Sequence, residues 1–451
     1  MSQTAPISVS SNNTLERLIV YSLLALHAVA FALITAMNPR YMTDDTLRYI
    51  DLADALTRGN FGLMTPNGFE PEGMRSFGYP VFLLFCYALF GKSDLGVIAV
   101  QGVLYLVSVF LIWNLVKKNF GRETSFIFLA LSVIYPFIAY SSSLMGPENP
   151  CIFLLALAAW VLDFGIRKNS VYTGFALAGF LLALSMYFRS NLFPLPFFLA
   201  FVFLFMLRTN RKAVFVLVAA AILTLLPASI YNYRNFGKLT PTPVYGGAGI
   251  SLWMSTWHAR VSTETLIKYR RKIETTEQLK SSGMFEQMAE SNRKSGVSED
   301  FFPISMGYYK TNKIRARAQD EYLKAAIENV KTAPVTYFGS SLINVFRMWF
   351  SAYIYENYPL PLRLYLLFIG FFAFLVGLVG ILFAVRNYEL AFSPFVVTAL
   401  ATMVFHSITL CWLHVEARYT IPARFFLLAF AAYGIFRFYE LVKGRFASRI
   451  L

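Results

Sequence analysis

The 451-residue chain contains 57% hydrophobic residues and only 14% charged residues. A water-soluble domain of this length could not bury so much apolar surface in one core, so the composition excludes a soluble protein and indicates a polytopic membrane protein. The formal net charge of +15 indicates topology signals and contacts with membrane phospholipid rather than nucleic acid, because short cytoplasmic loops are rich in Lys and Arg.

The polar N-terminal segment MSQTAPISVSSNNTLER has no basic region and no cleavage site before the first apolar run. We therefore predict an uncleaved first span with the N-terminus in the cytoplasm. The three cysteines lie in apolar runs without metal-type spacing, so neither a disulfide framework nor a metal site is predicted.

Apolar runs long enough to cross about 30 Å of hydrocarbon as helices occur ten times in the chain. They lie at about 16–36, 94–116, 123–140, 150–166, 171–187, 192–207, 213–231, 361–385, 391–412 and 419–439. Two further apolar segments, 77–91 and 335–355, are short or broken by polar residues and are predicted to lie in the membrane interface.

Clusters of Lys and Arg determine the predicted orientation, because positive charge in short connections marks the cytoplasmic side. The clusters are at 117–122, 167–168, 208–212, 386 and 443–449. They share one side only if the segments 77–91 and 335–355 do not cross the membrane. The sequence therefore predicts ten spans with both termini inside.

The fold class predicted is an all-α polytopic membrane protein with about ten spans, interfacial helices and an extracytoplasmic helical cap. Residues 1–231 form an N-terminal transmembrane module that includes a first outer loop at 38–93. Residues 232–360 form the cap and an interfacial helix, and residues 361–451 form the C-terminal spans. Between residues 232 and 334 there are sixteen Lys and Arg against ten acids, which favours anionic partners such as phospholipid headgroups.

The stretch MTDDTLRYIDLADALTRGNFG places two adjacent carboxylates, Asp44 and Asp45, directly after the first span. One interpretation is structural, because acids favour the positive end of a helix dipole and Thr43 can cap the helix. The other is catalytic, because a carboxylate at the membrane surface can take a proton from an acceptor.

Other polar residues beside predicted outward span ends have the same two interpretations. Arg75 and Arg189 are either interfacial anchors or ligands of a lipid phosphate, which a guanidinium binds through two parallel hydrogen bonds. Glu148 is either a helix-start acid or a ligand of a sugar hydroxyl.

Two further segments follow or join spans on the same side. Arg234 and Asn235 come directly after one span, ahead of glycines that permit close approach of a ligand. His414, Glu416 and Arg418 occupy a very short connection between apolar helices, where charges are expensive unless they pair or bind something.

Five segments follow one another along the chain: Asp45 with Tyr49 four residues on, RSFGYP, the acid Glu148, RNFGKLTPTPVYGGAGISLW and EARYTIP. In this order they resemble the GT-C superfamily of integral-membrane glycosyltransferases, in the bacterial branch related to protein O-mannosyltransferases and the lipid A aminoarabinose transferase. The sequence differs from the superfamily pattern at Ser76 and Phe77, which replace paired prolines.

The resemblance implies a transferase of the bacterial cytoplasmic (inner) membrane with its active site facing outward. It would move a sugar from a polyprenyl-phosphate donor to a lipid, glycan or protein acceptor, with Asp45, or alternatively Asp44, as general base. The implied ligands of the donor phosphate are Arg75, Arg189, Arg234 and Arg418. The implied substrate-orienting residues are Tyr49, Glu148, Asn235, His414 and Glu416. No metal or other cofactor is predicted.

Two alternatives remain open from the sequence. A flippase or transporter of lipid-linked sugars would need charged residues at mid-span, and the predicted spans contain His27, Asn114, Asp163 and His406 and little else. An oligosaccharide ligase or polymerase would share the cap and the outward arginines.

Overall fold

A computed structural model gives the conformation of most of the chain. It describes residues 9–37, 45–65, 68–206, 211–246, 249, 251–253, 255–256, 312–350, 359–413 and 417–450. Of the site residues predicted from the sequence, Asp44, His414 and Glu416 lie outside these ranges.

The described residues are mainly helical. The α-helices are α1 Val9–Met37, α2 Thr46–Thr57, α3 Gly78–Phe90, α4 Asp94–Phe120, α5 Arg122–Ile134, α6 Phe137–Ser142, α7 Glu148–Arg167, α8 Val171–Met186, α9 Leu195–Met206, α10 Arg211–Phe236, α11 Asn312–Thr332, α12 Pro334–Phe350, α13 Leu360–Arg386, α14 Tyr388–Ala391, α15 Pro394–Leu410 and α16 Arg424–Ile450. Short 3-10 helices lie at Ser190–Leu192, Ala417–Tyr419 and Ile421–Ala423.

Helices cover all ten runs that the sequence predicts as spans. Six described helices are long and apolar enough to cross a membrane, and Val171–Met186, Ser190–Phe205 and Pro394–Leu410 are among the shorter apolar helices. The run at 123–140 is divided at Tyr135 and Pro136, because proline has no N–H to continue the helical hydrogen bonds of α5.

The two segments predicted to lie in the interface are also helical, as α3 and α12. The structure confirms the predicted all-α class and adds one small antiparallel pair of strands, β1 Gly62–Thr65 and β2 Gly68–Pro71. The hairpin lies between α2 and α3, within the segment 38–93 that the sequence predicts as the first outer loop.

Glycines allow several helices to approach closely. A Cβ added at Gly380 of α13 would collide with the carbonyl oxygen of Phe430 on α16, and one at Gly179 of α8 would collide with that of Leu217 on α10. Small residues commonly bring membrane helices together in this way, because dispersion contacts drive their association.

Ion pairs lie at both ends of the helical bundle. At one end, Glu16 near the start of α1 pairs with Lys117 and with Arg122, whose Nε lies 3.3 Å from Glu16 Oε2. At the other end, Asp45 and Thr46 at the start of α2 meet Arg418 in the turn before α16 and Met145 just before α7. This second end carries the candidate site.

Candidate active site

Asp45 occupies the N-cap position of α2, but its side chain makes no capping hydrogen bond. Its carboxylate instead forms two ion pairs. Arg75 Nη2 lies 2.5 Å from Oδ1, and Arg418 Nη1 lies 3.4 Å from Oδ2. The carboxylate is therefore held between two guanidinium groups from distant parts of the chain.

The turn that carries Arg75 is fixed by the buried carboxylate of Glu72. Glu72 accepts hydrogen bonds from the backbone N–H groups of Met74 at 2.6 Å and Arg75 at 3.1 Å, and pairs with Arg48 at 2.6 Å. Because Arg48 is on α2, the same helix that follows Asp45 also anchors the turn of Arg75.

A second ion pair lies beside the first. Glu148, the first residue of α7, pairs with Arg189, which follows α8. The ring of Tyr419 lies between the two parts of the site, with its centroid 5.4 Å from the guanidinium carbon of Arg189 and 5.8 Å from that of Arg418. Cation–π attraction at these distances brings the two arginines together around one ring.

Two residues of α2 fix the position of Asp45. The hydroxyl of Thr46 donates to the carbonyl of Met145 at 2.7 Å. Tyr49 is buried and packs edge-on against Tyr79, with 5.1 Å between the ring centroids. Burial raises the pKa of Tyr49 to about 12, so Tyr49 stays neutral at physiological pH and cannot neutralise the arginines.

The charges determine the protonation of Asp45. Burial favours the neutral acid, but the positive charges of Arg75, Arg418 and Arg189 outweigh it and hold the pKa of Asp45 below its usual value. Burial also opposes the charge on Arg189, and the Glu148 carboxylate reverses that effect and raises the pKa of Arg189. Both groups are therefore ionised at neutral pH.

The structure does not bring every predicted residue into this cluster. Arg234 and Asn235 are exposed in the last turn of α10. The Asn235 amide donates to the carbonyl of Tyr231 at 2.9 Å. The carboxylate–guanidinium cluster of the described residues thus consists of Asp45, Glu148, Arg75, Arg189 and Arg418.

Three residues that support the cluster were not predicted. Tyr419 belongs to the EARYTIP segment, but nothing in the sequence marks its ring as a contact of two arginines. Glu72 and Arg48 are recognisable only as ordinary surface charges. Their pairing depends on the turn between β2 and α3, which local sequence does not specify.

A cavity of about 20 Å³ adjoins Arg75 on the side of α8 and α10, which is room for about one water molecule. The rings of Phe61, Phe77, Tyr187 and Tyr231 are among its walls. Phe77 packs on Tyr187 with 4.3 Å between ring centroids. The replacement of a proline by Phe77 thus gives an aromatic contact between α3 and α8.

Within the described residues, no three His, Cys, Asp or Glu side chains are arranged to hold a metal ion. The acids of the cluster are instead paired with arginines.

Comparisons with known proteins identify the fold. The family of dolichyl-phosphate-mannose-protein mannosyltransferases matches residues 75–231. No curated protein matches the chain by sequence. Among solved structures, the fold is similar to AglB from Archaeoglobus fulgidus, an archaeal oligosaccharyltransferase in complex with an inhibitory peptide and a dolichol-phosphate. Sequence identity is 16% and the TM-score is 0.53, over 96% of this chain and 52% of AglB.

The apo form of the Archaeoglobus fulgidus oligosaccharyltransferase gives a TM-score of 0.54 at 15% identity, over 95% of this chain and 51% of that chain. ArnT from Cupriavidus metallidurans bound to undecaprenyl phosphate gives a TM-score of 0.38 at 12% identity, over 92% of this chain and 78% of ArnT. The chain spans about half the length of the archaeal proteins it matches. The resemblance to the GT-C superfamily that the sequence motifs predict is confirmed.

Proposed function

We propose that the protein is a glycosyltransferase of the cytoplasmic membrane. It moves a sugar from a polyprenyl-phosphate donor to a lipid, glycan or protein acceptor at the outer face, with Asp45 as general base. The observation that carries this proposal is the Asp45 carboxylate, held between Arg75 and Arg418 at one end of the helical bundle.

The charge of the cluster suits a donor of this class. The cluster contains three arginines and two acids, so its cationic groups outnumber its acidic groups by one. A sugar linked through a phosphodiester carries one negative charge, and a second develops on the phosphate as its bond to the anomeric carbon breaks. Guanidinium groups already in place stabilise that developing charge.

Binding of the donor also makes Asp45 a better base. Arg75 and Arg418 are then shared between the phosphate and the carboxylate, so each lowers the pKa of Asp45 less than before. The acceptor oxygen attacks the anomeric carbon, its proton moves to Asp45, and the phosphate leaves with the electron pair of the broken bond. The AglB structure contains a dolichol-phosphate, and this supports a lipid-phosphate ligand for the same fold.

Replacement of Asp45 by Asn tests the base. We expect Asp45→Asn to abolish transfer of a labelled sugar in proteoliposomes while the variant elutes normally in gel filtration. Asp54→Asn is the matched control, because Asp54 lies on the same helix and pairs with Lys92 at the surface. Undiminished turnover by Asp45→Asn would refute the assignment.

Mass spectrometry of the co-purified polyprenyl lipid identifies the donor. We expect a monophosphate-linked sugar. A diphosphate-linked glycan would instead indicate an oligosaccharide ligase or polymerase. Translocation of a labelled lipid-linked sugar without a new glycosidic product would indicate a flippase.

A further inference from the structure

A charged side chain lies completely buried at the start of α16. Arg424, the first residue of α16, has no exposed surface. Its Nε donates to Thr420 Oγ1 at 3.1 Å, its Nη1 to the hydroxyl of Tyr135 at 3.0 Å and its Nη2 to the carbonyl of Met348 at 2.9 Å. Its guanidinium carbon lies 5.8 Å from the ring centroid of Phe137.

These contacts join three separate parts of the chain. Tyr135 and Phe137 flank the break between α5 and α6, Met348 is on α12, and Thr420 is in the turn before α16. An arginine inside a membrane protein is expensive unless its donors are satisfied. The planar fork of a guanidinium reaches several acceptors in different directions, whereas a lysine ammonium is a single point of charge.

The same network fixes the turn that carries Arg418. Thr420 accepts from Arg424 and donates its own hydroxyl to the Met348 carbonyl at 2.7 Å. Arg424 and Thr420 therefore hold the same carbonyl oxygen. Only one residue separates Thr420 from Arg418, so a shift of this turn relative to α12 displaces the Arg418 guanidinium.

We propose that Arg424 is a positioning residue of the active site: it fixes the turn at 417–423 against α12 and the α5–α6 break, and so holds Arg418 on Asp45. The inference deepens the proposed function, since it assigns a residue that controls the ionisation of the proposed base. Arg424 itself does not contact Asp45 among the described interactions, and it acts through Arg418.

The first test reads the ionisation of Asp45 without any catalytic assay. A carbodiimide activates the protonated form of a carboxyl group, so the pH dependence of Asp45 labelling, followed by peptide mass spectrometry on the full-length protein, gives its titration midpoint. We expect Arg424→Lys to raise this midpoint by about 1 pH unit, because the attraction of Arg418 weakens. Thr420→Val keeps Arg424 and nearly the same side-chain volume at position 420. It should also raise the titration midpoint of Asp45.

Two comparisons separate positioning from general destabilisation. Ser132→Ala removes a buried hydroxyl that bonds to the Phe128 carbonyl on α5, and we expect it to leave the midpoint unchanged. Arg418→Gln should raise the midpoint, and adding Arg424→Lys to it should cause no further rise. Non-additivity of this kind is the signature of two residues that act on one interaction.

The proposal is overturned if Arg418→Gln raises the midpoint but both Arg424→Lys and Thr420→Val leave it unchanged. It is also overturned if Arg424→Lys adds a full further shift to Arg418→Gln. If Arg424→Lys does not fold, Thr420→Val alone decides between the outcomes. A protein that shows the expected shifts but transfers no sugar would refute the proposed function and leave the positioning role of Arg424 intact.

Discussion

For Asp45, the local sequence predicts the position of an acid but not its role. The sequence predicts an acid near the start of an interfacial helix and leaves its role open between helix capping and catalysis. The structure places Asp45 at the N-cap without a capping bond and pairs its carboxylate with Arg75 and Arg418. The acid is recognisable from neighbouring residues, but its partners are not, because they depend on tertiary contacts.

Arg418 sets part of the pKa of Asp45, which makes its removal measurable. A base with a lowered pKa stays active down to a lower pH, so the loss of a neighbouring cation moves the acid limb of kcat/KM to higher pH. We expect Arg418→Gln to move this limb upward by about 1 unit.

The measurement is a pH–rate profile in proteoliposomes. Arg437→Gln serves as control, because Arg437 forms only a surface pair with Glu440 among the ion pairs of the described residues. An acid limb that stays in place in Arg418→Gln would show that Arg418 does not act on the essential base.

The sequence analysis did not predict a role for Arg424, although its position in the sequence indicates one. It follows the EARYTIP segment as the first residue of an apolar helix, and a charge at such a position calls for a structural or functional partner. Its partners come from Tyr135, Met348 and Thr420. No sequence spacing connects these three positions, so only the packed fold reveals them.

The hydrophobic runs in the sequence predicted the positions of the helices well. They did not predict where a helix is broken or where strands lie between helices. The runs at 94–116 and 361–385 correspond to α4 and α13. The break at Tyr135 and Pro136 and the hairpin at 62–71 were not predicted. Apolar composition continues through the break, and two four-residue strands give too short an alternation to recognise.

Close packing of α13 on α16 depends on Gly380. Gly380→Ala would place a methyl group against the backbone of Phe430, where no side-chain rotation can relieve the clash. Overpacking of this kind typically costs about 1–3 kcal/mol. We expect Gly380→Ala to melt at a lower temperature than the wild type in detergent. Fluorescence-detected gel filtration after heating measures this melting temperature.

Gly339→Ala is the matched control. Gly339 lies within helix α12, and a Cβ there meets no atom within 4 Å. Alanine favours a helix over glycine by about 1 kcal/mol, so this variant should melt at the same temperature or slightly higher. Equal melting of Gly380→Ala and the wild type would mean that the two helices are not packed as described.

In the whole molecule, the ion pairs form two separate groups, one at each end of the helical bundle. Asp45, Glu148 and the turn of Arg418 gather at one end, while Glu16, Lys117 and Arg122 gather at the other. The distribution of Lys and Arg in the sequence predicts which end faces the cytoplasm. Which of the two ends faces the cytoplasm stays a prediction from the sequence.

Cysteine accessibility in intact cells tests this orientation. We expect Lys92→Cys and Lys238→Cys to react with a membrane-impermeant maleimide from outside, because both positions are exposed at the end that carries the site. Lys168→Cys and Lys443→Cys should react only after permeabilisation. The native cysteines are buried and give little background. Labelling of Lys92→Cys and Lys238→Cys from opposite faces would contradict a single outer site.

The pairing of Asp45 with Arg418 joins positions 373 residues apart in the chain. During synthesis the acid emerges hundreds of residues before the cation that completes its surroundings. The segment that carries Arg418 must therefore leave the ribosome before the two can meet. A nascent chain that still lacks the turn at 417–423 has an Asp45 carboxylate without the Arg418 counterion, so this charge balance arises only after both segments have been synthesised.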